Sequence, residues 1–210
     1  MKKIFISALS MCLMYGASAQ FFAGVNANYS MYKGDFHKST PGAQVRLGYD
    51  FDEKISGFVG FTYGIPIKEP SSSVVMDQNG NMQDVPSEIK YSFKTIHFLV
   101  HYTFVGDQES TGKFYGIAGA GLVLVSYKAS ITGSYDKNSY TPMDQINGST
   151  SGFTLNFGLG GEYKLGGPSL FGEAGIALPA NNVNNYYVYN PIPAHFFLNA
   201  GLKFPLTSNQ

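Results

Sequence analysis

The last apolar segment of the chain alternates strictly between two kinds of residue. Five apolar side chains share one parity: Leu198, Ala200, Leu202, Phe204 and Leu206. The positions between them include Asn199, Gly201 and Lys203. Successive side chains of a strand point to opposite faces. The segment therefore predicts a strand with one apolar and one polar face, as in a sheet that separates an apolar from a hydrated environment.

Seven further segments alternate in a similar way, which predicts eight strands in all. They comprise residues 22–32, 43–51, 55–67, 88–104, 114–131, 152–165 and 170–178, followed by the last segment. The chain has 17 Phe, 15 Tyr and 25 Gly, and only 13% of its residues are charged. This composition favours strands over helices.

The fourth segment changes parity along its length. Ile89, Tyr91 and Phe93 share one parity, whereas Ile96 and the apolar residues after it share the other. We expect a β-bulge near Lys94 and Thr95, because one extra residue restores a single apolar face.

The connections between these strands alternate in length. Short connections comprise 52–54, 106–113 and 166–168, and longer ones comprise 33–42, 68–87, 132–151 and 179–194. Short periplasmic turns and longer outside loops are typical of outer-membrane barrels. The longest apolar run, 117–125, is too short for a transmembrane helix. The pattern predicts an all-β fold, an eight-stranded antiparallel up-and-down transmembrane β-barrel. The alternative is a soluble, lipocalin-like barrel with its apolar face inward.

We expect the apolar face to meet lipid, with aromatic residues forming a girdle near each end of the strands. The girdle at the periplasmic end would contain Tyr49, Phe51, Tyr102, Phe104, Tyr115, Tyr163 and Phe204. The outer girdle would contain Tyr29, Tyr63, Tyr127, Phe153 and Phe196. Val123 and Phe157 would lie between them, near mid-span.

The first 19 residues are typical of a secretory signal peptide. Lys2 and Lys3 precede an apolar stretch, and Ala17 to Ala19 form a small-residue cleavage site. Cleavage leaves residues 20–210 as one barrel domain, with no cysteine and a net charge of −2 because two of the 14 basic residues are removed. That charge gives no basic field for nucleic acid.

The last strand also resembles a known targeting signal. Asn199, Gly201, Phe204 and Leu206 follow the pattern of the C-terminal β-signal, by which outer-membrane barrels are handed to the barrel assembly machinery. The whole chain resembles the small eight-stranded outer-membrane barrels, such as the OmpA transmembrane domain, OmpX and the PorT-like barrels. The resemblance implies outer-membrane localisation, contact with outer-membrane lipid, and the assembly machinery as a partner during biogenesis. Some PorT-like barrels assist secretion or envelope assembly, which implies an envelope or surface protein partner.

Charged residues on the polar face should point into the barrel. They are Arg46, Asp50, Glu162, Lys164, Glu173 and Lys203. An eight-stranded barrel has an interior just wide enough for side chains, so we expect a salt-bridged plug rather than an ion or proton path. His97 and His101 would lie about 13 Å apart on one strand and could not share a metal, so we expect them to belong to the interior polar network. No metal site or cofactor is predicted.

The loops carry the remaining functional signal. Tyr186, Tyr187 and Tyr189 are candidate contact residues, since tyrosine gives rigid, amphipathic contact area, although they could instead rest on lipid headgroups. The favoured function is a non-enzymatic structural or interaction role. One alternative is a lipid A-modifying enzyme, because His37-Lys38-Ser39 has the His-x-Ser spacing of the lipid A 3-O-deacylases and His195 is a second candidate. The other is a narrow channel.

Overall fold

A computed structural model describes residues 20–33, 39–107, 110–143, 147–180 and 194–206. The strands among them are β1 (Gln20–Tyr32), β2 (Ser39–Asp50), β3 (Ile55–Gly64), β4 (Ile67–Asp77), β5 (Met82–Val105), β6 (Gly112–Ile131), β7 (Tyr140–Pro142), β8 (Asn147–Lys164), β9 (Ser169–Pro179) and β10 (His195–Pro205). No described segment is a helix long and apolar enough to cross a membrane. The predicted signal peptide, residues 1–19, lies outside the described residues.

Eight of the strands form a closed ring. They follow the order β3-β2-β1-β10-β9-β8-β6-β5, and a further pairing of β3 with β5 closes the ring. All of these pairings are antiparallel, and the first and last strands of the ring, β1 and β10, are hydrogen-bonded neighbours. The predicted eight-stranded antiparallel barrel is therefore confirmed.

The register of the pairings sets the width of the barrel. A path of paired residues that starts at Phe22 on β1 and goes once around the ring returns to β1 at Tyr32, ten residues later. The path runs through Gly48, Phe58, Leu99, Gly119, Asn156, Ala177 and His195. Eight strands with this stagger tilt by about 40° from the barrel axis. Such a barrel has a lumen that side chains can fill.

The outer surface of the ring is apolar. Leu47 is 65% exposed, Leu159 64% and Phe98 56%, while polar residues of the neighbouring parity are buried. Exposed aromatic residues lie near both ends of this band: Phe51, Tyr102, Phe104, Tyr163 and Phe204 at one end, and Tyr29, Tyr63, Phe153 and Phe196 at the other. An apolar belt of this kind meets lipid. The lipocalin-like alternative is wrong, because the apolar face points outward.

The face assignment of β6 is a correction to the sequence analysis. Tyr115 and Val123 are only 2% and 3% exposed, and both point into the lumen. Tyr127 has the same parity and is half-buried. Phe114 and Leu124 face outward instead. Both faces of β6 carry large apolar residues, so alternation alone could not show which face meets lipid.

The bulge expected near Lys94 and Thr95 is also a correction. Strands β5 and β6 keep one register from Ser87 to Thr103, and the register shifts only between Thr103 and Val105. The parity change has another cause: Phe93 is 2% exposed and lies inside the outer end of the barrel. The apolar residues of β5 thus face the lumen near the outer end and lipid further down.

A sheet extension projects beyond the ring on the outer side. Strand β3 ends near the Tyr63–Lys94 pair, whereas β5 continues to Met82 and pairs there with β4. Strands β6 and β8 extend alongside, and the short β7 adds to the edge of β4. The segment 68–87, which the sequence suggested to be a loop, is thus mostly a hairpin. A spanning strand needs only about 9–11 residues, so much of the 24-residue β5 lies outside the membrane.

Phe157→Arg tests the assignment of the lipid-facing surface. Phe157 is 45% exposed and lies between the two girdles. A cation there should lower the free energy of unfolding in lipid vesicles by about 2–4 kcal/mol, since the cost is greatest at the bilayer midplane. Urea titration measures the change. Ser151→Arg, on the same face of β8 but above the belt, is the control and should cost about 0–1 kcal/mol. Equal costs at the two positions would contradict the assigned membrane position.

Candidate functional site

A buried ion pair occupies the middle of the lumen. Arg46 of β2 and Glu173 of β9 form a bidentate contact, with distances of 2.7 Å from Nη1 to Oε1 and 3.1 Å from Nη2 to Oε2. The two side chains are 3% and 0% exposed. Paired N–H donors on a carboxylate give both strength and fixed geometry. The contact links two strands that are not neighbours in the ring.

The Arg46 side chain is enclosed by aromatic and polar groups. Its guanidinium carbon lies 3.9 Å from the ring centroid of Phe171 and 4.6 Å from that of Phe58. Nη2 also donates to Asn26 Oδ1 at 3.2 Å. Gly24 of β1 is paired with Arg46, and a Cβ at this glycine would lie only 2.7 Å from Arg46 Cγ. The glycine therefore leaves room for the arginine side chain. The aromatic faces stabilise a cation that burial would otherwise destabilise.

The Glu173 carboxylate accepts hydrogen bonds from side chains of two other strands, β6 and β10. The Tyr115 hydroxyl donates to Oε1 at 3.1 Å, and Asn199 Nδ2 donates to Oε2 at 3.0 Å. His101 stacks on Tyr115 with the ring centroids 4.2 Å apart, and its Nε2 lies 3.6 Å from Glu173 Oε1. A buried carboxylate needs such partners to offset the loss of water.

A second charged layer lies at the periplasmic end of the lumen. Lys203 Nζ lies 3.1 Å from Asp50 Oδ2 and 3.7 Å from Glu162 Oε2. Lys113 Nζ contacts the same Glu162 oxygen at 3.1 Å. Below this layer, a vestibule of about 320 Å³ opens towards the short turns, and Lys164 lines it. This layer alternates cations and anions, so its charges compensate one another within the lumen.

A small cavity on the outer side of the central pair is lined by polar residues together with Phe93, Leu99 and Phe197. Gln44 Nε2 donates to Thr62 Oγ1 at 2.9 Å, and Thr62 Oγ1 lies 3.0 Å from His97 Nε2. The cavity measures about 20 Å³, which suits a single water molecule. It shares no lining residue with the vestibule. The central pair and its aromatic neighbours line neither space and separate the two.

An apolar layer closes the outer end of the lumen. Its buried members are Ile67, Phe93, Val123 and Val125. Tyr32 packs against this layer and stacks on Phe93 with ring centroids 4.7 Å apart. Of these residues, the sequence analysis assigned Val123 to the lipid face and placed Phe93 just before the expected bulge.

The predicted site residues are therefore found in several places. Arg46 and Glu173 meet in the central layer, Asp50, Glu162 and Lys203 meet in the periplasmic layer, and Lys164 lies at the vestibule. Sequence reasoning missed Tyr115, because it was assigned to the lipid face, and Lys113, because the predicted strand began one residue later. His97 and His101 were expected in the interior network, and the structure places His97 at the outer cavity and His101 beside the ion pair.

The enzyme and loop candidates are only partly described. His37, Lys38, Tyr186, Tyr187 and Tyr189 lie outside the described residues. The Ser39 hydroxyl is hydrogen-bonded to the Tyr29 hydroxyl. His195 is half-buried, with its ring centroid 4.9 Å from that of Tyr32. Within the described ranges, no group of three His, Cys, Asp or Glu residues could hold a metal ion.

Three residues of the predicted assembly signal lie on β10 beside β1, and the fourth, Leu206, follows the end of β10. Phe204 and Leu206 face outward and are 39% and 58% exposed, whereas Asn199 is buried in the lumen. The structure also requires a glycine at position 201, independently of any assembly signal. A Cβ at this position would lie 2.2 Å from the Val25 carbonyl oxygen and 2.6 Å from the Asn26 Cα. Only glycine allows the first and last strands to approach this closely.

The tip of the sheet extension combines a fixed turn with exposed methionines. The Asp77 carboxylate accepts hydrogen bonds from the backbone and side chain of Asn81, both at 2.7 Å, and from the backbone of Asn79 at 2.9 Å. These bonds, led by the one from the Asn81 side chain, hold the pKa of Asp77 below its usual value. Met82 is 67% exposed and Met143 is 46% exposed at the same end.

Several solved structures match this architecture, including the following two. Neisserial surface protein A matches with a TM-score of 0.57 and 16% identity, over 89% of this chain and 98% of that chain. A major outer membrane protein from Thermus thermophilus matches with a TM-score of 0.61 and 12% identity, over 90% of this chain and 100% of that chain. This chain has the fold of the outer-membrane β-barrels. The resemblance to the small eight-stranded barrels is thereby confirmed at the level of the fold, and the apolar belt agrees with the outer-membrane localisation.

Sequence comparison adds no closer relationship for this barrel. No protein-family model matches the chain, and no curated protein matches its sequence. At the identities of the two structural matches, what is shared is the fold. The function of the barrel is therefore argued from its own residues.

Removing one member of the central ion pair should destabilise the barrel strongly. We expect Arg46→Met or Glu173→Met to lower the free energy of unfolding by about 3–5 kcal/mol, because each leaves a buried charge without its partner. The double variant should cost less than the sum of the single variants. Urea unfolding in detergent or lipid measures all three.

The exposed Lys68–Glu88 pair is the matched control for this experiment. Its nitrogen–oxygen distance is 2.9 Å, but the side chains are 62% and 30% exposed. The same double-mutant cycle should give a coupling of about 0–1 kcal/mol there. Similar coupling energies for the two pairs would show that the central contact does not stabilise the lumen in the way described.

Phe204→Ala tests the assembly signal. The ring contacts lipid rather than the lumen network, so refolding into detergent should change little. If the barrel assembly machinery reads this residue, the amount of folded protein in the outer membrane of cells should nevertheless fall sharply. Gly201→Ala is the contrasting variant: the clash with β1 should cost about 1–3 kcal/mol and reduce folding in both settings. Normal assembly of Phe204→Ala in cells would refute the signal.

The turn at the tip should depend on pH. A carboxyl group with a depressed pKa in the folded state stabilises the turn above its unfolded pKa of about 3.9, and this stabilisation is lost as the pH falls through the folded value. Amide hydrogen exchange should show protection of Asn79 and Asn81 falling in that range, and Asp77→Asn should remove the dependence. The turn at Asp136, which accepts from Ser139 and Asn138, should be unchanged in that variant and serves as its control.

Proposed function

We propose that this barrel is an interaction protein of the outer membrane, which contacts a protein partner through its outer sheet extension. The observation that carries the proposal is the length of the extension. Strands β5, β6 and β8 continue beyond the ring, and β4 and β7 join them there in a hydrogen-bonded sheet rather than as loops. A hydrogen-bonded sheet holds contact residues in fixed positions, which favours recognition because little conformational freedom is lost on binding.

The tip of the extension offers a suitable contact surface. Met76 and Met82 are paired across the hairpin, and the backbone N–H of Met143 donates to the Val74 carbonyl, which brings a third methionine to the same end. Methionine is flexible and polarisable, and it is common on surfaces that adapt to protein partners. Two of these residues are exposed to water outside the lipid belt, so a partner would bury apolar surface there.

The packing of the lumen supports a role by contact over conduction. The vestibule and the outer cavity are separated by the Arg46 and Glu173 layer, and an apolar layer lies beyond the cavity. Conduction would require these buried charges to lose their partners. The charged groups of the central layer bond to one another, which also supports a stabilising rather than a catalytic role for them.

Site-specific crosslinking from the tip tests this function. A photoreactive residue at position 82, in cells that assemble the barrel normally, should form a defined adduct with one envelope or surface protein. Met143→Asp should reduce that adduct, because it places a charge in the apolar contact. The same photoreactive residue at Glu53, an exposed position in a periplasmic turn, is the control and should not give this adduct.

Two results would contradict the proposal. One is the absence of any position-82 adduct in cells with folded barrel. The other is a change in the phosphate or acyl pattern of lipid A when the gene is deleted, restored by the intact protein, which would support the enzyme instead. Conductance in planar bilayers that disappears on heat unfolding would support the channel.

A further inference from the structure

Three lysines form a row across the outward face of the sheet extension. In the strand register, Lys68 of β4 is paired with Lys90 of β5, and Lys90 is paired with Lys128 of β6. All three are exposed. Directly opposed residues have Cβ atoms about 4.5–5.5 Å apart, so the row brings three cations within about 10 Å. Lys94 lies on the same face, nearer the barrel, beside Tyr63.

Repulsion between the three lysines destabilises the sheet, and a bound anion would remove that repulsion. Like charges directly opposite each other destabilise a strand pair. Glu88 on the same face binds Lys68 at 2.9 Å and compensates one charge. Hydroxyl groups lie between the row and Lys94, because Ser92, Ser126 and Ser149 are paired across β5, β6 and β8. The face formed by Lys68, Lys90, Lys94 and Lys128, called the basic face below, is thus rich in donors for phosphate oxygens.

The height of the basic face on the barrel identifies what lies against it. Ten residues of β5 separate Phe104, in the periplasmic girdle, from Lys94. At about 3.4 Å per residue and a tilt of about 40°, they rise roughly 26 Å along the barrel axis. The apolar band of such barrels is about 25 Å tall. Lys94 therefore lies at the outer edge of the hydrocarbon, and the row lies roughly 10 Å further out, in the headgroup layer.

We propose that the basic face binds the phosphate groups of the phosphorylated glycolipids that surround the barrel in the outer leaflet. Three features support this occupant: the face is continuous with the lipid-facing belt, its charge is opposite to that of the headgroups, and it points sideways along the membrane rather than away from the cell. Lysine and hydroxyl donors suit phosphate oxygens. The bound lipid would hold the extension upright at the membrane surface and offset the repulsion within the row.

The proposal does not depend on the protein contact at the tip. The basic face and the exposed Met82 occupy different parts of the extension, so either could fail without the other. Crosslinking from position 82 reports on the tip, whereas lipid binding in detergent, with no partner protein present, reports on the basic face.

Lipid titration of the folded barrel in detergent tests the proposal. The probe is bisphosphorylated lipid A, and the comparison lipid is the same molecule without its phosphates, with binding followed by native mass spectrometry. We expect the phosphorylated lipid to bind more tightly and Lys90→Gln/Lys128→Gln to weaken its binding by about tenfold or more, since each lysine near a headgroup contributes substantially. Glu88→Gln should strengthen binding, because it releases Lys68 from its ion pair.

The matched control is Lys54→Gln/Lys137→Gln, which removes the same charge at two exposed positions away from the basic face. Its affinity for lipid A should stay within about twofold of the unchanged barrel, and all variants should remain heat-modifiable on gels. Equal loss in both double variants would show a general charge effect and overturn the proposal. Equal binding of the dephosphorylated lipid would do the same. So would a Lys90→Gln/Lys128→Gln barrel that binds lipid A as tightly as the unchanged barrel.

Discussion

The ion pair between Arg46 and Glu173 is the contact on which the interior of this barrel depends. Two ions in a lumen without bulk water lose their hydration, and that loss exceeds their attraction unless further groups compensate it. The fold supplies those groups from several strands. Phe58 and Phe171 enclose the cation, and a hydroxyl and an amide donate to the carboxylate. The pair thereby fixes how distant strands face one another.

The register of the ring makes this packing feasible. A stagger of ten residues over eight strands gives a lumen that is narrow but still holds side chains from opposite walls. Large groups then need small neighbours. Gly160 leaves space for the Tyr115 ring, since a Cβ there would lie 2.5 Å from it, and Gly24 does the same for Arg46. The glycine content of the chain thus partly reflects the filling of the interior.

The outside of the molecule divides at the end of β3. Below it, the strands form a closed ring with no free edge and an apolar surface. Above it, β4 to β8 form an open sheet. Val75 and Val85 are buried on its inner face, and lysines lie on its outer face. The change from apolar to basic side chains follows the change from hydrocarbon to headgroup. The residues of one strand, β5, thus meet lumen, lipid and aqueous surroundings in turn.

Much of the ring could be predicted from the sequence, because alternation at period two records which environment each face meets. The strands near both ends of the chain alternate polar with apolar residues, and their faces were predicted correctly for Tyr29, Phe157 and Phe204. The method failed at Val123 and Phe93, where apolar side chains fill the lumen as well as the lipid face. At such positions the alternation predicts a strand but does not show which face of the strand meets lipid.

The sequence by itself determined the number of strands in the ring and the sides of most strands, since these follow from local alternation and loop length. It also indicated which charges point inward. Only the tertiary structure decided their partners: Glu173 meets Arg46 across 127 positions of sequence, and the three lysines of the row meet through the register of three strands. The physical reason is that alternation is a property of a single strand, whereas the stagger between strands determines which side chains contact one another.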